Sequence, residues 1–164
     1  MPAWSSPDYR ELILRLAMTL GREGGPVQRL VGGGGTIPED ERYLRQYLFP
    51  ERDILPRAGT GPDGTPIRRM GLDPAEPNNY LQYGAPVGDI TGVQRPLVAG
   101  SKDLESRLLG LGQYQSIPDE AAGNVRIHDR WDFATQSVNP LIAAIMRLVG
   151  TPYDIRDDVP LKKP

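Results

Sequence analysis

Hydrophobic and polar positions alternate most clearly late in the chain. Val125, Ile127, Trp131 and Phe133 interleave with Arg126, His128, Arg130 and Asp132, a period of two that predicts a strand with one buried and one wet face. Asp129 falls on the apolar side, so it is either a partly buried, paired carboxylate or the mark of a bulge. Residues 113–117 read as a first arm. The link 118–124, PDEAAGN, is made of turn formers and ends in a Gly-Asn pair suited to positive φ. Residues 112–133 are therefore expected to form a β-hairpin around which the rest is organised.

Elsewhere the period is helical. Ser6, Pro7 and Asp8 signal a helix start and Gly21 an end, giving a helix over 7–20 with the stripe Tyr9, Leu12, Ile13, Leu16 and Leu20 facing a core. Thr36 and Glu39 fit a capping box before a second helix that runs to Phe49, with Tyr43, Leu44, Tyr47 and Leu48 on its apolar side and Pro50 as its stop. Ser101 caps a short helix over 102–109, closed by Gly110. Asn139 and Pro140 open a last helix to Val149 that is apolar on almost every side, with Arg147 its one polar residue after Pro140. The tail from 151 alternates weakly at Tyr153, Ile155, Val159 and Leu161, as an edge strand for this chain or a partner would.

Between 50 and 100 neither period holds. Eight prolines and eight glycines stand in this stretch, above the roughly 25–30% at which unpatterned sequence reads as irregular. Apolar residues still recur through it, among them Leu55, Ile67, Met70, Tyr80, Leu81, Tyr83, Val87, Ile90, Val93 and Leu97. Two readings stay open: an arm laid across a partner, with Tyr80, Leu81 and Tyr83 as anchors, or an irregular loop wrapped on its own domain. The expected division is a helical segment 1–49, a Pro/Gly-rich arm 50–100, and a helix, hairpin, apolar helix and tail over 101–164. The fold class is α+β: about four short helices around a β-hairpin or small antiparallel sheet, with a long irregular arm. The first and last helices are expected over the hairpin's apolar face.

Composition narrows the function more than it identifies it. At 164 residues the chain is one domain's worth. A net charge of −2 supplies no field to gather nucleic acid. The basic residues are 16 Arg and 3 Lys, which suits bidentate pairing or a GC-rich coding sequence equally. With no cysteine, thiolate chemistry, disulfides and cysteine metal sites are excluded. The first residues carry no basic segment followed by an apolar run, so no signal peptide is expected, and no window is long and apolar enough to span a membrane. No cofactor is expected. The glycines 32–35 lack the Lys-Ser/Thr of a phosphate loop and read as a joint.

His128, Asp129 and Asp132 make the one cluster suited to acid–base work. In a continuous strand His128 and Asp132 lie about 13 Å apart, too far for a dyad, and an ion-pair ladder with Arg126 or Arg130 is the simpler reading. A single histidine beside two carboxylates is a poor metal set, and no metal is expected. The phrase Asp129-Arg-Trp-Asp132-Phe resembles the Asp-x-Tyr-Asp-Phe phrase of the colicin M-type bacteriocins, with Trp131 in the tyrosine's place. That resemblance spans five residues, and the His-Arg pair the family places downstream is missing from ATQSVN at 134–139. It implies a hydrolase of lipid-linked peptidoglycan precursor with Asp129 and Asp132 as active-site carboxylates.

The leading expectation is a non-catalytic structural or interaction protein, one copy in a multi-subunit assembly such as a bacteriophage virion. It would be found in the virion or in the cytoplasm of the producing cell. Its partner contacts would come from Tyr80, Leu81, Tyr83 and the helix face Leu141, Ile142, Ile145 and Met146.

Overall fold

Helix α1 spans Pro7–Leu20, as its signals require: the Ser6 hydroxyl accepts from the Tyr9 amide at 3.2 Å, and the Gly21 amide closes the last turn on Ala17. The computed structural model describes residues 6–31, 35–85, 88–91, 95–132 and 140–162. It is mixed α+β, with five α-helices among the described residues: α1, α2 (Pro26–Val31), α3 (Glu41–Leu48), α4 (Lys102–Leu111) and α5 (Pro140–Val149). The chain forms two compact units, Met1–Ile54 with Trp131–Pro152, and Leu55–Arg130 with Tyr153–Pro164. This division cuts across the segments 1–49, 50–100 and 101–164.

The first unit is helical. α1 packs against α3 and α5, and its core holds Ile13, Leu14, Ala17, Tyr43, Leu44, Tyr47, Leu48, Phe49, Ala143 and Met146. Polar side chains fasten the connections. Thr36 donates its hydroxyl to the Ala17 carbonyl at 2.9 Å instead of capping a helix, and Asp40 takes the capping role by accepting from the Ile37 amide at 2.8 Å. Arg10 donates to the Leu48 carbonyl and pairs with Glu51 while lying over the Phe49 ring. The buried Gln46 accepts from the Ile54 amide and donates to the Arg52 carbonyl, folding the chain back after Pro50.

The second unit is a sheet with α4. Its strands are β1 (Arg57–Thr60), β2 (Pro66–Arg68), β3 (Leu81–Tyr83), β4 (Asp89–Thr91), β5 (Leu97–Ala99), β6 (Gln113–Asp119), β7 (Asn124–Trp131, whose last residue belongs to the helical unit) and β8 (Tyr153–Lys162). The order is β1-β2-β8-β7-β6-β4, with β3 joining β8 and β5. β6 and β7 are the expected hairpin, turned at Gly123 with φ 71°. The tail is no edge: β8 lies between β2 and β7, runs parallel to β2 through its first half, and takes β3 alongside its end. Val159, Ile155 and Tyr153 are buried there, so the weak alternation in the tail was the pattern of a central strand.

The stretch 50–100 is likewise not a free arm. Its short strands β1 to β5 pair into the sheet, and Leu55, Ile67, Met70, Leu81 and Leu97 enter the unit's own core beside Leu104 and Leu108 of α4. Strands of three or four residues fit between the closely spaced turns, so the prolines and glycines shorten the elements without preventing them. The turns at 71–79 are held by the start of α4: Asp103 accepts from the Asp73 amide and the Asn79 side chain, both at 2.9 Å, and Arg107 donates to the Gly71 carbonyl. Ser101 caps α4 through the Leu104 amide, and the helix runs past Gly110 to stop at Gly112, where φ is 70°. α1 and α5 pack on each other in the helical unit.

Candidate functional site

The outward face of the sheet follows from register. β2 and β8 run parallel with Ile67 beside Asp154 and Arg68 beside Ile155. The Met70 amide donates to the Asp157 carboxylate at 3.1 Å, and Arg69 and Arg156, which follow the last paired positions, line one cleft. Across β7 and β8, the Leu161 amide donates to the Gly123 carbonyl, Arg126 pairs with Asp158 at 3.6 Å, and Arg130 reaches Asp154 at 3.6 Å. The partners advance in opposite directions in equal steps, which makes this pair antiparallel and sets His128 opposite Arg156. Gln115 stands beside His128 on β6. One face of three strands therefore carries Arg69, Arg126, His128, Arg130 and Arg156, interrupted by Asp154 and Asp158.

Two arrangements form on this face. At one end Arg130 bridges Asp63 at 3.3 Å, Thr65 at 3.3 Å and the buried Asp154. At the other a cleft of about 300 Å³ is lined by Ala58, Ile67, Arg69, Arg126, Arg156, Asp157 and Asp158. Burial raises the Asp157 carboxyl above its usual range, against the opposing pull of the Met70 amide and Arg69. The aspartates of the tail are therefore structural partners of arginines and amides rather than a solvated acidic patch.

The residues singled out in the sequence are divided between the two units. His128 and Asp129 are half-buried in β7 of the sheet unit, whereas Asp132 follows the strand in the helical unit. Asp129 is half-buried within β7 and has an interaction partner. Arg126 pairs with Asp158, and Arg130 reaches Asp63 and Asp154. Trp131 stacks on Tyr43 at 5.4 Å between ring centroids. Tyr47, buried one turn further along α3, has its hydroxyl pushed up to about 12, mainly by burial, with the Asp132 charge adding and Arg147 opposing. No group of three or more His, Cys, Asp and Glu side chains suited to a metal exists among the described residues.

Of the expected partner contacts, Leu81 is buried in the sheet unit's own core. Tyr80 lies under the Lys162 ammonium at 4.1 Å, and Tyr83 donates to Glu120 while Arg95 covers its ring at 3.6 Å. On α5, Met146 is buried and Ile145 half-buried. The side chains of Leu141 and Ile142 lie outside the described residues, as do residues 32–34, Val87, Val93, Phe133 and 134–139 and the side chain of Ile90.

Sequence reasoning missed α1's outward face and the arginine cleft. The buried side of α1 is Ile13, Leu14 and Ala17, while Tyr9, Leu12, Leu16 and Leu20 are 39%, 49%, 38% and 42% exposed. The apolar arc of this helix is wider than one packing face, and that excess was readable in Leu14 and Ala17. Arg69 and Arg156, which lie far apart in sequence, gave no local signal. No family model, curated protein or solved structure matches the chain.

Proposed function

We propose that this is a non-catalytic interaction protein that works as one copy in a multi-subunit assembly, a bacteriophage virion component being the type we favour. The observation that carries this reading is the exposed stripe Tyr9, Leu12, Leu16 and Leu20 along α1. Large apolar side chains spaced three and four residues apart on an outward helix face suit a groove or a matching helix on another subunit. Leu30 and Leu148 of the same unit are 87% and 68% exposed and extend its apolar character. The hydrolase reading rests on the five-residue phrase, and its carboxylates Asp129 and Asp132 fall in different units.

Sedimentation velocity over a range of concentrations tests the assembly. The wild-type chain is expected to associate, and a Leu12→Asp, Leu16→Asp double variant to sediment as a monomer with unchanged circular dichroism. A wild-type chain that remains monomeric at every concentration would count against self-assembly. Activity on lipid-linked precursor that disappears in Asp132→Asn would favour the hydrolase instead, and mass spectrometry of purified virus particles tests the virion assignment.

A further inference from the structure

We infer that the cleft between β2, β8 and β7 is a binding site for a small phosphorylated ligand, whose phosphate group sits between Arg69 and Arg156 with Arg126 at its edge. The inference concerns the sheet unit and is independent of the assembly reading, which rests on α1.

Three observations lead to it. Arg69 and Arg156 each follow the last paired positions of β2 and β8 and both line the one cleft, where like charges repel. Among the described residues neither guanidinium has a carboxylate within ion-pair distance. The nearby carboxylates are shared: Asp158 pairs with Arg126, and Asp157, on which the Arg69 charge acts, accepts the Met70 amide. The two cations thus share one cleft, and an anion between them would remove the repulsion and supply acceptors for both forks.

The second observation is the cleft itself. Its 300 Å³ lies at the small end of ligand pockets, enough for a phosphate group and a modest organic portion. Ile67 and Ala58 give that portion an apolar wall. Guanidinium groups favour phosphate because the planar fork matches two of its oxygens.

Third, the surrounding charge selects against a polymer. Asp158, Asp154 and Asp63 stand among the arginines along the same face, so a nucleic-acid backbone tracking across it would meet carboxylates between the cations. The positive charge is concentrated at one point. A single doubly charged group answers that distribution better than a chain of phosphates.

The Arg126–Asp158 pair is the adjustable part. Its partners are 65% and 57% exposed, and exposed pairs of this kind contribute little and open easily. A bound phosphate competes with Asp158 for Arg126, so the carboxylate acts as a brake on affinity.

The test is isothermal titration of the full chain with inorganic phosphate and with pyrophosphate at low salt, supported by amide chemical shifts in β2 and β8. Saturable binding of either probe is expected, weakened at least tenfold in Arg69→Ala and in Arg156→Ala, partly restored in Arg156→Lys, and strengthened severalfold in Asp158→Asn. Arg15→Ala, on α1 of the helical unit, should bind as wild type. Both alanine variants alter exposed side chains, and unchanged thermal unfolding will show that they fold. The inference is overturned if neither probe saturates, if binding survives both arginine variants, or if Asp158→Asn weakens it. A DNA duplex that binds more tightly than pyrophosphate with the same arginine dependence would also overturn it, in favour of a nucleic-acid surface.

Discussion

The two compact units complete their cores in different ways, and their outward faces differ accordingly. In the helical unit Tyr9, Leu12, Leu16, Leu20, Val27, Leu30 and Leu148 remain exposed, whereas in the sheet unit Ile117 is the one large apolar side chain so exposed among the described residues. A strand sorts its side chains by strict alternation, so a sheet with one buried face has a wet face made of every second residue. A helix buries only the arc its neighbours cover, and any apolar residue beyond that arc stays outside. The sheet unit therefore presents organised charge, and the helical unit presents grease. The first suits a small anion and the second another protein.

The comparison breaks most visibly at a glycine. A Cβ at Gly150 would lie 1.7 Å from the Tyr47 ring, which is 1% exposed and has no room to move. Gly150→Ala is expected to destabilise the chain by about 3 kcal/mol or more, read as a lower urea midpoint. At Gly100 in the sheet unit the added carbon meets the half-buried Tyr80 ring at 2.6 Å and the Asn78 carbonyl at 2.7 Å. The Tyr80 ring can yield and the Asn78 backbone must shift by a few tenths of an ångström, against a 1.7 Å clash at Gly150, so Gly100→Ala should cost less, about 1–3 kcal/mol. The reverse ranking would mean that the helical unit packs more loosely around Tyr47 than its burial suggests.

The two sides of α1 give the next largest contrast. Leu14 is 1% exposed, so Leu14→Ala should cost about 2–5 kcal/mol. Leu12→Ala on the outward side should leave the monomer within about 0.5 kcal/mol of wild type while weakening association. A large loss of monomer stability in Leu12→Ala would show that the stripe is covered by the chain itself.

What was legible in the sequence was local. Ser6, Pro7 and Gly21 bounded α1, Ser101 capped α4, Pro140 began α5, and the alternation at Val125 and Ile127 placed β7. Each of these signals acts within a few residues. The pairing of β2 and β3 with β8 depends on contacts some eighty residues apart, and neither PIR nor LQY carries enough residues to show a period. That is why 50–100 read as an arm and the tail as an edge, and why Arg69 and Arg156 could not be joined. Thr36 was misread for another reason: a hydroxyl before a proline-containing turn has the signature of a cap, but the Ala17 carbonyl claimed it.

A smaller effect separates the units by pH. Burial raises Asp40 from 3.8 to about 7, opposed by the Ile37 amide and reinforced by Glu39 and Glu23. Because the folded value lies above the unfolded one, the native state binds this proton more tightly, and stability falls as pH rises from about 4 to about 7. Asn keeps an acceptor for the Ile37 amide and carries no charge. Asp40→Asn should therefore stabilise the chain at pH 8 by about 1–2 kcal/mol, with the gain vanishing near pH 4. Denaturation midpoints at the two pH values check this, and a gain independent of pH would place its origin elsewhere.

The smallest expected effect lies on the sheet's charged face. Asp158→Asn removes an exposed partner of Arg126, and exposed pairs contribute about 0–1 kcal/mol. It also removes a negative charge from a cleft that holds Arg69 and Arg156, so the repulsion between the arginines is less shielded. We expect a loss of about 0.5 kcal/mol or less at low salt that disappears at about 1 M salt, where charges beyond roughly 3 Å are screened. If the loss exceeds about 1 kcal/mol or persists in salt, Asp158 is holding β7 to β8 through packing, and the charged face contributes to the fold itself. If the loss is small and screened, the face is electrostatically frustrated without its aspartate, as expected of a surface arranged to receive an anion.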